Sequence, residues 1–396
     1  MSSSTKAVSD RSPLHSLPSA RQAVESILNE RPGPVSDPNG YERRSYDSFF
    51  SHGYLLSTSA VERPTIGQWR EMRIGDFQGW VEWNTRVVSA SVDERRAVVL
   101  FGHPVDIYSE TTDAERIAQS AARALESGFT PLLHYLAWLG GRFTAVVVDD
   151  DDLRVVPDCH ATQPVFLWSG SGLASMASHA ALLAEAHRLP VNSAASELIE
   201  LRRRINPRTT VHTPGLICPY LGIRPLFANC YAEISRSGAI AHRRFYPFGE
   251  VARGWSFDRA YRQFEELFVQ HIKLLSSFGI VGVSLTAGYD SQATFAASRR
   301  HVRSALFAYT FFGFNRGRDE EIRDLLAANE ASFKAGVPHR IVRWDRDPTD
   351  DRFARMYRAT FPAGGQAPQI ARALYEGLPS GFVEFMSTAA ESGSGF

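Results

Sequence analysis

The chain has two different patterns of apolar and polar residues, and one gives way to the other between residues 245 and 255. From about Tyr46 to about Phe248, short β-type runs are separated by turn residues, with a few helical stretches between them. The predicted strands include 96–102, 143–150, 153–158, 164–168 and 230–235, and the predicted helices include 113–128 and 193–204. This mixture predicts a layered α/β or α+β domain with much antiparallel sheet.

From Ser256 onward, longer helical and strand-like stretches alternate. Five apolar residues recur at helical spacing, namely Tyr261, Phe264, Phe268, Ile272 and Leu275. That spacing predicts an amphipathic helix with one face packed inward. The next predicted elements are a strand at 280–285, a helix at 292–300, a strand at 304–311, a helix at 319–335 and a strand at 339–344. Apolar strands joined by helices indicate a parallel sheet, and right-handed crossovers favour a doubly wound one.

The composition narrows the classes of function. With 396 residues, the chain is long enough for two or three domains. Its formal net charge is zero, so we expect neither nucleic acid nor a membrane as a partner. Residues 1–40 lack the apolar segment of a signal peptide and are predicted to form a flexible tail. The three cysteines share no metal-ligand spacing, which favours reduced thiols and a cytoplasmic location.

The candidate chemistry lies where the strand predicted at 280–285 ends. Residues 286–291 form the predicted strand-to-helix loop, where unpaired backbone N–H groups and a helix dipole attract anions. Gly288 would let a phosphate approach the backbone, and Thr286 and Ser291 offer hydroxyl donors. Asp290 would repel a phosphate unless Mg²⁺ lay between them, so it is a predicted metal ligand. The spacing alone leaves open a second interpretation, a Ser/Asp helix cap after a buried strand.

The stretch LTAGYDSQ resembles the pyrophosphate-binding loop of the asparagine synthetase family, S-G-G-x-D-S. Thr286 stands for the first Ser, Ala287 and Gly288 for the two Gly, and Asp290 and Ser291 match outright. Two later segments resemble the same family: AYTFFGF at 308–314, and a D-E…A…G…H segment whose matching residues are Asp319, Glu320, Ala328, Gly336 and His339. The resemblance implies binding of ATP and Mg²⁺ through residues 286–291, Tyr289 included.

The resemblance further implies that adenine lies near the backbone of Tyr309 and Thr310, and that the enzyme adenylates a substrate carboxylate. The first half is also similar to the family. PDCHATQPVF resembles R-D-x-x-G-x-x-P-L, with Ala161 in place of the Gly, and GLASMASHAALL resembles A-S-E-x-x-x-L, with His179 in place of the Glu. These segments imply an αββα glutaminase domain of the N-terminal-nucleophile (Ntn) hydrolase type at 41–248, followed at 256–396 by a doubly wound ATP-pyrophosphatase domain.

The glutaminase domains of the family use a Cys directly after the initiator Met, and Ser2 stands there in this chain. We therefore expect the glutaminase domain to be inactive. Such a chain resembles the β-lactam synthetases and lasso-peptide cyclases, in which an amine attacks an adenylated carboxylate. The expected substrate is then a small-molecule or peptide carboxylate.

The family also has a second acidic motif that helps to bind Mg²⁺, and a later lysine. Glu391 is the nearest counterpart of the acidic motif and the candidate for a further metal ligand or catalytic residue. No lysine follows Lys334. We therefore expect either a C-terminally shortened ATP-binding domain or one that needs a protein partner or a second copy to complete its site, and in both cases a chain that is a poor catalyst alone.

Two other functions stay open on the sequence. The chain could be a degenerate homologue that binds a nucleotide or a partner without catalysis. It could also be a sulfur-transferring or tRNA-thiolating adenylase, but that function calls for a reactive Cys near the loop or a basic RNA-binding face. The sequence offers neither.

Overall fold

A computed structural model describes residues 50–150, 152–205, 215–248, 254–313, 319–344, 352–360, 367–379 and 381–387. The predicted tail 1–40 and Glu391 lie outside these ranges, and the limits predicted for the two domains stay predictions. No helix within the described ranges is long and apolar enough to cross a membrane.

Among the described residues before residue 250, antiparallel strands and four helices make up the structure. The strands are β1 (Tyr54–Ser57), β2 (Trp69–Ile74), β3 (Phe77–Glu82), β4 (Val87–Ser91), β5 (Arg96–Asp106), β6 (Leu139–Asp149), β7 (Asp152–Pro157), β8 (Phe166–Gly170), β9 (Leu173–Ala177), β10 (Ile223–Pro225), β11 (Cys230–Ile234) and β12 (Ile240–Arg244). The helices are α1 (Ala114–Glu126), α2 (Phe129–Ala137), α3 (Ala180–His187) and α4 (Ser193–Ile205). The strands form two six-stranded sheets, in the orders β10-β8-β9-β1-β3-β2 and β12-β11-β7-β6-β5-β4.

The two sheets pack face to face between two layers of helix. Tyr54 of the first sheet and Phe101 of the second belong to the same buried cluster, which fills the space between the sheets. The outer face of the second sheet packs against α1 and α2, and that of the first sheet against α3. Because β5 and β6 are covered on both faces, their sequences are almost continuously apolar. The expected αββα sandwich is confirmed as an architecture.

A parallel sheet follows residue 254. Its elements are α5 (Phe257–Leu275), a short 3₁₀ turn (Ser276–Phe278), β13 (Val281–Ser284), α6 (Tyr289–His301), β14 (Leu306–Gly313), α7 (Asp319–Ala335), β15 (His339–Trp344), α8 (Arg352–Thr360), α9 (Ala367–Gly377) and β16 (Val383–Phe385). The four strands lie in the order β15-β14-β13-β16 and are parallel. The predicted parallel sheet is confirmed, and β16 adds a strand that the hydrophobic pattern did not predict.

The chain winds in both directions from β13. It adds β14 and β15 on one side and then returns to place β16 on the other. Ile272 of α5, Phe295 of α6 and Ala328 of α7 cover one face of the sheet, while Ala373 of α9 and Leu378 cover the other. The doubly wound arrangement is therefore confirmed.

Helix α6 begins three residues before its predicted start. Tyr289, Asp290 and Ser291 were expected in the loop, but they form the first turn of the helix. The Ser291 hydroxyl bonds to the Gly288 carbonyl at 3.0 Å, which closes the loop within a few residues. The predicted loop is thus correct only for residues 286–288.

Helix α5 is buried only near its C-terminal end. Ile272 is buried and Phe268 and Leu275 are partly buried, as predicted. Tyr261 and Phe264 are 54 % and 62 % exposed, so the prediction that they pack inward is wrong. Spacing identifies one face of a helix, but it cannot show how far along the helix that face is covered.

Two helices connect the parallel sheet to the sandwich. The ring of His271 on α5 lies on the backbone of Gly140, so closely that a Cβ at residue 140 would lie 2.6 Å from its Nε2. The ring of Phe278 packs edge-on against His103 of β5, with 5.6 Å between ring centroids. Ala359 of α8 joins the buried cluster around α3. The sandwich therefore supports the helix that leads into β13.

Among the described histidines of the sandwich, His179 has the pKa that is lowered most. It is 7 % exposed, its Nδ1 lies 2.8 Å from the Ser178 hydroxyl, and its ring packs edge-on against Phe50. Burial, followed by the nearby charge of Arg142, lowers its pKa from 6.5 to about 3. The folded protein therefore holds His179 neutral at a pH where the unfolded chain binds a proton.

This difference predicts that acid weakens the fold. Between pH 6.5 and pH 3 the unfolded state binds one more proton at this residue than the folded state. The free energy of unfolding therefore decreases by up to about 1.4 kcal/mol for each unit by which the pH is lowered. His179→Gln should reduce the loss between pH 7 and pH 5 by about 2 kcal/mol, measured by urea unfolding. His134→Gln, at an exposed position, is the matched control. An unchanged loss in His179→Gln would contradict the prediction.

Candidate functional site

The order of the parallel strands places the candidate site. Winding reverses between β13 and β16, and ligands of such sheets bind outside the carboxyl ends of the strands at this switch point. The segment there is residues 285–288, called the β13 loop below. It leads directly into α6, so the resemblance motif does lie at the switch point.

The β13 loop satisfies its own backbone donors. Thr286 N–H donates to Ser291 Oγ at 3.1 Å, and Gly288 N–H donates to Thr286 Oγ1 at 3.1 Å. Ala287 N–H donates to Asp324 Oδ1 on α7 at 3.0 Å. The predicted anion site at these three N–H groups is thus already occupied by oxygen atoms of the protein.

The predicted hydroxyl donors meet each other. Thr286 Oγ1 and Ser291 Oγ lie 2.9 Å apart, and Ser291 is buried. The amide Nε2 of Gln292 donates to the Thr286 carbonyl at 2.6 Å. These contacts hold the loop against the first turn of α6.

The backbone N–H groups without a protein acceptor belong to the residues that directly follow the β13 loop. Within the described stretches, no protein acceptor meets the N–H groups of Tyr289, Asp290 and Ser291, the first three residues of α6. Their N-cap is Gly288, which makes no side-chain cap. A Ser/Asp cap is therefore not what the structure contains. The positive end of the helix dipole and three N–H groups without a protein acceptor therefore lie at the switch point.

Asp290 and Tyr289 are exposed in this first turn, Tyr289 by 94 %. Gly288 has an ordinary φ of −69°, and a Cβ there would meet only Thr286 Oγ1, at 3.3 Å. Neither dihedral angle nor packing demands glycine at this position. Its absent side chain leaves the approach to the α6 donors open.

Ser387 is a member of the site that sequence reasoning missed. It follows β16, its hydroxyl lies 3.3 Å from the Asp290 carbonyl, and it lies 2.8 Å from Thr294 Oγ1. Ser387 therefore joins the end of β16 to the first turn of α6. No local signal marks it, because the contact spans 97 residues and depends on how β16 pairs.

Tyr309 and Thr310 lie inside the sheet instead of at its open edge. The Tyr309 carbonyl accepts the Leu285 N–H at 2.9 Å, and the Thr310 hydroxyl donates to the Leu285 carbonyl at 2.7 Å. The Tyr309 hydroxyl bonds to Glu384 of β16, and burial, then this carboxylate, raises the pKa of Tyr309 far above its usual range. Both residues fix the end of β13, and a contact with adenine stays a prediction.

His339 has the structural role that its place on a strand suggests. Its Nε2 lies 2.9 Å from the Thr310 hydroxyl, and burial lowers its pKa. A neutral ring therefore supports the same strand end from the side of β15.

The acidic groups near the loop are Asp290 and Asp324. Across the described residues, no cluster of three or more His, Cys, Asp or Glu is arranged to hold a metal ion. Mg²⁺ is commonly bound by one or two carboxylates together with water and substrate phosphates. One or two aspartates beside an open helix N-terminus fit that mode, with phosphate oxygens completing the coordination.

A cavity of about 560 Å³ lies at the opposite edge of the sheet. Lys273, His301 and Arg303 contribute its cationic groups. Its serine hydroxyls donate to backbone carbonyls, such as Ser276 Oγ to Lys273 O at 2.7 Å. The helices α5 and α6 end here, so the cations complement the negative ends of their dipoles.

None of the three thiols is activated as a nucleophile. Burial raises the pKa of Cys159 to about 11, and it also raises the pKa of Cys218 and Cys230. Because the thiolate is the attacking form, a raised pKa makes each thiol a weaker nucleophile near neutral pH. All three are free of disulfides.

No protein-family model matches the chain, and no curated protein matches it. Solved structures give weak similarities. Glutamine phosphoribosylpyrophosphate amidotransferase from B. subtilis, complexed with ADP and GMP, is 9 % identical with a TM-score of 0.29, covering 79 % of this chain and 88 % of that one. A structure described as the allosteric regulatory enzyme of purine biosynthesis is 11 % identical with a TM-score of 0.28, covering 86 % and 77 %.

A third similarity is to glutamine-dependent NAD⁺ synthetase from Acinetobacter baumannii in complex with ADP. It is 16 % identical with a TM-score of 0.19, covering 37 % of this chain and 28 % of that one. TM-scores this low decide neither the fold nor the function, which rest on the geometry above.

Ser291 should control the shape of the β13 loop. Ser291→Ala removes the acceptor of the Thr286 N–H, so it should lower the free energy of unfolding by about 1–3 kcal/mol. Hydrogen exchange at the Thr286 amide should accelerate roughly tenfold or more. Ser277→Ala removes an exposed hydroxyl that bonds only to the Leu274 carbonyl, and is the control. Unchanged exchange at Thr286 would contradict the assigned role.

Proposed function

We propose that this chain is an ATP-dependent ligase of the asparagine synthetase kind, which adenylates a substrate carboxylate for attack by an amine. The observation that carries the proposal is the first turn of α6: three N–H groups without a protein acceptor, together with Asp290, at the switch point of a doubly wound sheet. A helix N-terminus in this position is suited to polyphosphate. The likeness of residues 286–291 to the family loop supports the same conclusion.

The N–H groups of residues 289–291 would hold the β- and γ-phosphates of ATP. Asp290 cannot accept such a ligand alone, because its carboxylate and the phosphates repel each other. We propose that Asp290 binds Mg²⁺ on the phosphate side of the turn. Bound there, the ion would supply neutralisation of phosphate charge while the leaving group separates.

The reaction proposed has two displacements. An oxygen of the substrate carboxylate attacks the α-phosphorus of ATP, and pyrophosphate leaves. An amine then attacks the acyl carbon of the adenylate, AMP leaves, and the amine loses a proton as the amide forms. The first turn of α6 would stabilise the charge that develops on the departing pyrophosphate.

The αββα sandwich is proposed to be a scaffold without glutaminase chemistry. The pKa of each of its three thiols is raised, chiefly by desolvation, which weakens each of them as a nucleophile. The amine would come from the substrate itself or from a second substrate. Glu391 is the proposed further acidic ligand, and a protein partner or a second copy of the chain is proposed to contribute to the site.

One observation favours a second candidate function, a nucleotide-binding homologue without catalysis. The loop N–H groups of residues 286–288 are all bonded to protein oxygens, and the described residues contain no three-membered metal cluster. A chain of that kind would bind ATP and release no pyrophosphate with any carboxylate. Pyrophosphate release in the presence of a carboxylate panel separates the two functions.

Asp290→Asn tests the proposal directly. With Mg²⁺ present, ATP should bind at least about tenfold more weakly to the variant, because the bridge through the ion is lost. Without Mg²⁺, binding should be unchanged or tighter, because the repulsion between this carboxylate and the phosphates is also lost. Isothermal titration with and without Mg²⁺ measures both. Asp258→Asn is the matched control, since Asp258 also lies in the first turn of a helix, α5. Unchanged Mg²⁺-dependent binding in Asp290→Asn would refute the proposal.

A further inference from the structure

Asp324 contacts the β13 loop, although it is not among the residues that match the motifs of the asparagine synthetase family. Asp324 lies on α7, 37 residues from Ala287, and its Oδ1 accepts the Ala287 N–H at 3.0 Å. The N–H groups of Thr286 and Gly288 are bonded to the neutral hydroxyls of Ser291 and Thr286, and that of Leu285 to a backbone carbonyl. Asp324 is therefore the charged acceptor of the loop, and it is half-buried.

A carboxylate at this place competes with a phosphate. Both groups use oxygen atoms to accept from backbone N–H groups at the end of a strand. A phosphate oxygen can reach the Ala287 N–H only if the Asp324 oxygen leaves it. A free anion at the α6 N-terminus would also meet two negative charges, that of Asp324 beside the loop and that of Asp290 in the first turn of the helix.

A divalent cation turns the repulsion between an aspartate and a phosphate into an attraction. Placed between phosphate oxygens and an aspartate, it turns repulsion into a bridge, and Mg²⁺ accepts one or two carboxylates together with phosphates. We propose that Asp324 makes polyphosphate binding at this loop conditional on a divalent cation: it excludes free anions and admits the metal complex. The inference rests on the proposed function, because it concerns the same site.

The alternative is that Asp324 only ties α7 to the loop. Asparagine separates the two roles, because its amide oxygen still accepts the Ala287 N–H while its charge is gone. Glu330→Gln is the matched control: it removes a carboxylate from the same helix, where Glu330 pairs with Lys334 at 2.5 Å.

The experiment titrates inorganic pyrophosphate, with and without Mg²⁺, into the wild-type chain, Asp324→Asn, Asp324→Ala and Glu330→Gln. Without metal, both Asp324 variants should bind pyrophosphate at least about tenfold more tightly than wild type, and Glu330→Gln should not. With Mg²⁺, the advantage of the variants should vanish or reverse. The ratio of affinities with and without metal is thus the readout, and a purely structural tie would not move it.

Three results would overturn the inference. The first is equal metal-free binding of pyrophosphate by wild type and Asp324→Asn. The second is weaker binding by both Asp324 variants together with a lowered melting temperature. The third is tighter metal-free binding by Glu330→Gln as well. If wild type binds neither pyrophosphate nor ATP even with Mg²⁺, and no variant does, the proposed function itself fails. Wild-type binding that depends on Mg²⁺ but ignores Asp324 would leave the proposed function standing and refute the inference alone.

Discussion

The backbone donors at the end of β13 impose the constraint on which this half of the molecule depends. Backbone N–H groups that follow the end of a strand have lost their ladder partners, so they bond to other protein groups, to water or to a ligand. Here the acceptors are Ser291 Oγ, Asp324 Oδ1 and Thr286 Oγ1. The first acceptor requires α6 to start at once, and the second requires α7 to lie beside the loop. Self-capping of the loop therefore moves the open donors onto α6.

The sandwich contributes to this site indirectly, by fixing the elements that precede and follow β13. His271 on Gly140 and Phe278 against His103 hold the end of α5 to β5 and β6. From there the chain has only the 3₁₀ turn and two residues before β13 begins. On the far side, Tyr309 bonds to Glu384, so β14 is tied across β13 to β16. The start and the end of β13 are thus both held, and the loop has little freedom of position.

The sequence carried enough information for the sheet but not for the details of the site. Helix α7 and strand β15 have their predicted bounds, because a long periodic stretch between clear turn residues is a strong local signal. Strand β16 has three residues and exists by pairing with β13, which no local pattern encodes. Asp324 and Ser387 reach the loop across 37 and 97 residues, so their roles depend on tertiary packing. The α6 start was misplaced because Tyr, Asp and Ser have modest helix propensity, which the Ser291 contacts override.

The family motif and the open donors of α6 lie at the same end of β13. They differ in which N–H groups would bind an anion. The family pattern suggests a glycine-rich loop whose own N–H groups hold the anion, whereas in this chain Ala287 replaces a glycine and its N–H is already bonded. None of the residues 286–290 has a positive φ, so the loop uses no conformation that only glycine allows. What remains available is a helix N-terminus, whose attraction for anions does not depend on glycine. With aspartates beside it, such a terminus would discriminate by charge under the proposal above: it would favour a ligand that brings its own cation, because of the two carboxylates and not because of the loop sequence.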